Sequence, residues 1–122
     1  MTRVQLKAER VDGVQVLRVA GELDKLAIDQ VRSRLERLVG SGRLVVDLDA
    51  VTFIDSAGLH ALFGLARLAS LEGGRIALVV AETSPTARVI DLVHLRDVVP
   101  VLRTVADAVR ALGQVSRDDG TG

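Results

Sequence analysis

Segments with the two-residue period of a strand alternate along this chain with segments of helical period. Turn-forming residues separate them. That alternation constrains the fold more than any other feature, because strand, helix and strand in succession close as a right-handed crossover with the strands parallel. Val4, Leu6 and Ala8 alternate with Gln5, Lys7 and Glu9, which reads as a half-exposed strand. Asp12-Gly13 is a hairpin turn signal, and Val14 to Ala20 reads as the next strand. Asp24 suits the N-cap of a helix running to about Val39, with Ile28, Val31, Leu35 and Leu38 on one face. Gly40-Ser41-Gly42 ends it. Arg43 to Leu48 is apolar enough for an internal strand, followed by a loop over Val51 to Asp55 and a second helix from Ser56 to Gly73-Gly74. Arg75 to Ala81 reads as a fourth strand, and Ser84-Pro85 opens a third helix as N-cap and first helical residue. Val98 to Val101 reads as a short last strand. Thr104 opens a fourth helix, with Asp107 completing a loose capping box.

The predicted class is α/β: one domain with a mixed, mostly parallel sheet of four to five strands and about four helices, in the order β-β-α-β-α-β-α-β-α. The domain is expected over residues 1–112, with a polar, frayed tail over 113–122. At 122 residues the chain matches one ordinary domain.

Composition removes several functional classes. Lys plus Arg and Asp plus Glu are 16 each, balanced in either half, so no basic face for nucleic acid or an anionic membrane is implied. Cys is absent, which removes disulfides, thiol chemistry and cysteine-ligated zinc. Only Phe53 and Phe63 are aromatic, so base stacking on aromatic platforms is not expected. The N-terminal residues carry spread charges and no apolar core of a signal peptide, and the apolar run Ala57 to Leu71 is too short to span a bilayer. A cytoplasmic location is the expectation.

Catalytic motifs are missing: there is no GxGxxG and no phosphate loop. His60 and His94 are not spaced as a metal pair. A receiver-type phosphoacceptor at Asp47 or Asp49 lacks the nearby lysine such a site uses, since Lys7 and Lys25 are the only lysines. No cofactor and no enzymatic activity are expected. A magnesium-dependent hydrolase using Asp24, Asp47 and Asp55 is the reading from a different class, because carboxylates clustered at one sheet edge would supply oxygen ligands.

Phe53-Ile54-Asp55-Ser56-Ala57-Gly58-Leu59 is the segment that capping does not fully explain. Either Asp55 or Ser56 serves as the cap of the second helix. Gly58 falls in the first helical turn, where it costs about 1 kcal/mol relative to Ala and lets another backbone come close. The helix beyond is apolar on nearly every side, as expected of one that is deeply buried or docks a partner. Both phenylalanines flank the Asp55-Ser56 pair and are expected to hold it in place, so that Phe53→Ala would disturb stability and function together.

Gly21-Glu22-Leu23-Asp24, Val46-Asp47-Leu48 and Val51-Thr52-Phe53-Ile54-Asp55-Ser56-Ala57-Gly58-Leu59 together resemble the STAS domain, and more narrowly the stand-alone anti-sigma factor antagonists of bacteria. The likeness extends over about residues 4–112 and includes Pro85 and the Leu95 to Val101 stretch. The resemblance implies a protein-binding switch. An unmodified antagonist binds an anti-sigma factor that is also a serine kinase and so frees a sigma factor. The kinase then phosphorylates the serine matching Ser56, and a serine phosphatase resets it. It implies partner-binding roles for Asp24, Asp55, Ser56, Ala57, Gly58 and Leu59, and a monomer when free. The alternative is a STAS accessory subunit of a lipid-transport or stress-signalling assembly that is not phosphorylated. The chain departs from the family pattern at Leu26-Ala27-Ile28, where a small or hydroxyl residue is usual. It departs again at His94, which stands where members often have a left-handed Gly.

Overall fold

The computed structural model describes residues 4–40 and 42–121, with the side chains described up to Gly113. The frayed tail expected over 113–122 falls almost wholly on side chains outside the described residues.

Strands β1 (Val4–Val11) and β2 (Val14–Leu23) form the hairpin read from Asp12-Gly13, both turn residues having positive φ. Helix α1 (Lys25–Val39), β3 (Arg43–Ile54), α2 (Ser56–Leu71), β4 (Arg75–Val79) and α3 (Pro85–Leu92) follow. A 3₁₀ turn at Leu95–Asp97, β5 (Val101–Leu102) and α4 (Val105–Thr121) complete the order. The sheet runs β1-β2-β3-β4-β5, antiparallel in the hairpin and parallel thereafter.

Each new strand joins on the same side, and α1, α2 and α3 all lie on one face, as the usual right-handed crossover requires. They cover the main core, which includes Leu17, Leu44, Val46, Leu78 and Ile90. Strand alternation turns Val14, Val16, Val45, Ala77 and Val79 to the opposite face, where α4 covers them with Ala108, Val109 and Leu112.

Four boundaries differ from the sequence reading, the simplest being β4, which ends at Val79 rather than Ala81. The segment Val51 to Ile54, expected as loop, is the end of β3, and β2 likewise continues to Leu23. Register shifts between Arg18 and Ala20 and between Gly21 and Glu22 break the alternation there, which hides the strand from a period-two pattern. The last strand is Val101–Leu102 rather than Val98 to Val101, the chain first turning through the 3₁₀ segment. His94 occupies the left-handed region (φ 58, ψ 34), as its place in the pattern led one to expect. Thr104 accepts the Asp107 N–H at 3.1 Å, one half of the expected box. Among the described residues no helix is long and apolar enough to cross a membrane.

Candidate functional site

The parallel pairing of β2 with β3 decides where the candidate residues meet. Leu23 and Ile54 are register partners at the carboxyl ends of the two strands. Each is followed at once by an aspartate that caps a helix. Asp24 accepts the Ala27 N–H at 2.9 Å and opens α1, while Asp55 accepts the Gly58 N–H at 2.9 Å and opens α2. The Asp55 N–H donates to the Leu23 carbonyl at 3.3 Å and ties the two ends together. Two helix N-termini, each with its partial positive charge, thus start side by side at the carboxyl edge of the sheet.

The open choice of cap falls to Asp55. Ser56 is the first residue of α2 and is exposed, and its hydroxyl makes no hydrogen bond among the described residues. Of the four first-turn amides without an intrahelical acceptor, Asp55 uses Leu23 and Gly58 uses the Asp55 carboxylate. The amides of Ser56 and Ala57 remain available to a new acceptor. Ala57 and Leu59 are half-buried, and Leu59 packs against the main core.

Gly58 is buried, and the backbone it lets come close is the chain's own. A Cβ there would lie 2.3 Å from the Leu23 carbonyl oxygen and 2.8 Å from Ile54 Cγ1. Its contribution is therefore to bring α2 onto the ends of β2 and β3, and it offers a partner no side chain to touch.

Two expectations are corrected. Asp47 does not join Asp24 and Asp55 at the sheet edge. It lies in the middle of β3 opposite Arg18, with which it pairs at 2.8 Å, its side chain 9% exposed. Arg18 also binds Glu9 at 2.6 Å and, through that hydrogen bond and its charge, holds the Glu9 carboxyl below the usual carboxylate range. Asp49 accepts the Ala81 N–H at 2.7 Å. Among the described residues no group of three metal-ligating side chains comes together. The second correction concerns Phe53, which is 51% exposed rather than an anchor of the core. It pairs in register with Glu22 after the second shift of β3. Phe63 alone of the two packs against the core.

A signal for the paired caps is present in the sequence. Leu23-Asp24 and Ile54-Asp55 are the same apolar-acid step, each followed by a small residue three positions after the acid. The exposure of Phe53 has no such signal, since it depends on where the register shifts.

Known proteins share this fold. The model of the STAS domain matches residues 5–108, and the chain belongs to the STAS domain family. An anti-sigma F factor antagonist from Paenibacillus polymyxa is 29% identical over 116 residues, covering 93% of this chain and 98% of that one. The crystal structure of an anti-sigma factor antagonist from Mycobacterium paratuberculosis superposes with a TM-score of 0.78 at 30% identity, covering 89% of this chain and 93% of that one. The Bacillus cell fate determinant SpoIIAA, solved in its phosphorylated form, superposes with a TM-score of 0.64 at 26% identity, covering 88% of this chain and 98% of that one.

Proposed function

We propose that this protein is an anti-sigma factor antagonist that acts in the cytoplasm as a monomer, by binding rather than catalysis, and is switched by phosphorylation at Ser56. Its partner is an anti-sigma factor that is also a serine kinase, and a serine phosphatase reverses the modification. The observation that carries this reading is the Ser56 hydroxyl, exposed at the start of α2 and relieved of capping by Asp55. The named functions of the relatives support it, as does the phosphorylated form of a structural neighbour.

The physical chemistry of the site suits such a switch. A phosphoserine adds about −1.5 to −2 charges at neutral pH. The helix N-terminus and the amides of Ser56 and Ala57 favour an anion at that position, so the fold survives the modification. For a partner docking over Asp24, Asp55 and Leu59 the same charge is unfavourable, because it adds to two carboxylates that docking already desolvates. Burying that added charge beside them costs several kcal/mol, on the order of a hundredfold or more in affinity. Modification is then read at the interface and not through unfolding.

The test uses the full chain with an anti-sigma factor of the serine-kinase type and ATP, followed by intact mass. The chain gains one phosphate and Ser56→Ala gains none, while Ser56→Asp binds the kinase on the order of a hundredfold more weakly. Phosphate on Ser56→Ala, or equal binding by Ser56→Asp, refutes the proposal. Stable binding without phosphate uptake refutes the Ser56 switch alone, while neither binding nor phosphate uptake favours the alternative, an accessory subunit of a lipid-transport or stress-signalling assembly that is not phosphorylated.

A further inference from the structure

Gly58 and Gly64 both interrupt α2, and only the first is explained by the fold. A Cβ on Gly64 would meet nothing within 4 Å. Gly in a helix interior costs about 1 kcal/mol relative to Ala, and here no internal contact offsets it. What Gly64 leaves is an exposed notch in the outer ridge of α2, between His60 and Leu71.

Apolar surface lies on both flanks of that notch. Towards α1 runs a groove of about 200 Å³ lined by Leu35, Ala61, Leu65 and Leu68. On the other flank a hollow of about 460 Å³ is lined by Phe63, Ala66 and Val98. Leu71, 74% exposed, borders both. The groove is rimmed by Arg32 on α1 and Arg67 on α2, with Glu36 as its one acid. Among the described residues neither arginine makes an ion pair, and α2 carries no acidic residue at all.

We infer that this groove docks an amphipathic helix of another protein, crossing α2 at Gly64 with its apolar face down and acidic residues against Arg32 and Arg67. A missing side chain lets a second helix backbone approach closely, and apolar anchors at helical spacing fill the grooves to either side. Charge identifies the occupant as a different chain. In a contact of α2 with the α2 of a second copy neither helix would bring an acid to Arg32 or Arg67, whereas glutamates at the rim would satisfy both arginines. Gly64 lies eight positions along α2 from Ser56, about 12 Å at the helical rise, so this surface is separate from the proposed phosphorylation site. It stands or falls independently of that reading.

The probe is a synthetic amphipathic helix with Leu and Ala on one face and flanking glutamates, titrated into the isotope-labelled full chain and followed by amide resonances. A matched peptide with lysines for glutamates is the control. The glutamate peptide shifts residues of α1 from Arg32 onward and of α2 around Gly64, and the lysine peptide binds at least about tenfold more weakly. Gly64→Leu and Arg67→Glu each weaken the glutamate peptide at least about tenfold. Gly64→Leu melts no lower than the parent, because Leu is the better helix former and meets no neighbour. The inference is overturned if the two peptides bind equally, if the shifts centre on Ser56 or are absent, or if Gly64→Leu binds as well as the parent. A dimer by sedimentation that buries α2 also overturns it, since the occupant is then a second copy.

Discussion

Phe53 and Phe63 are the chain's two aromatic side chains, and they occupy opposite environments. Phe63 lies against the main core, while Phe53 stands half out of the surface beside Glu22. Truncating a fully buried Phe costs about 3–5 kcal/mol, so Phe63→Ala, half-buried, is expected to cost about 2 kcal/mol. Phe53→Ala is expected to stay within about 0.5 kcal/mol of the parent, as surface substitutions do. Urea unfolding of the two variants checks this. Equal losses would mean that Phe53 is buried after all. At the same scale His94 holds a left-handed backbone without Gly, and its contact to Asp97 at 3.9 Å is too long and too exposed to contribute much.

At the scale of elements, the meeting of β2, β3 and α2 rests on one missing Cβ. Gly58→Ala drives a methyl group into the Leu23 carbonyl and the Ile54 side chain. Neither the backbone nor the buried Ile54 yields cheaply, and overpacking of this kind costs about 1–3 kcal/mol or more. Each kcal/mol lowers the melting temperature by roughly 3–6 °C in a domain of this size. The expected variant is folded, measurably less stable, and slower to accept phosphate, because a shift of α2 moves Ser56 and the Asp55 cap together. An unchanged melting temperature would contradict this account of Gly58.

The element order was legible because periodicity and turn residues agree along most of the chain. Asp24, Ser84 and Thr104 cap where local chemistry indicates. What escaped depends on register. The two shifts in the pairing of β2 with β3 make Val51 to Ile54 look like loop, and they decide that Phe53 points out. The position of Asp47 escaped for a related reason: a strand read as ending at Leu48 places Asp47 near its end, and the true strand runs on to Ile54. Asp24 and Asp55, by contrast, follow strand ends that pair, and their juxtaposition was readable once the strands were known to be parallel neighbours.

At the scale of the whole molecule, three helices cover one face of the sheet and α4 alone covers the other. The proposed switch residue lies at the rim of this assembly and supports none of it. Acidic charge at a helix N-terminus is favourable by about 0.3–1 kcal/mol, and Asp24 and Asp55 nearby oppose it. Ser56→Asp is therefore expected to melt within about 3 °C of the parent while losing its partner. A large drop on calorimetry would instead make Ser56 a structural residue.

The pairing of Leu23 with Ile54 also has a consequence in time. The two residues are about thirty positions apart, and the β2–α1–β3 crossover must close, at an entropic cost, before Asp24 reaches the start of α2. A nascent or partly unfolded chain already contains the sequence Ile54-Asp55-Ser56 but lacks the second carboxylate and the pair of helix ends beside it. A modifying enzyme that recognises that geometry would therefore act only on molecules that have finished folding, and would ignore the growing chain.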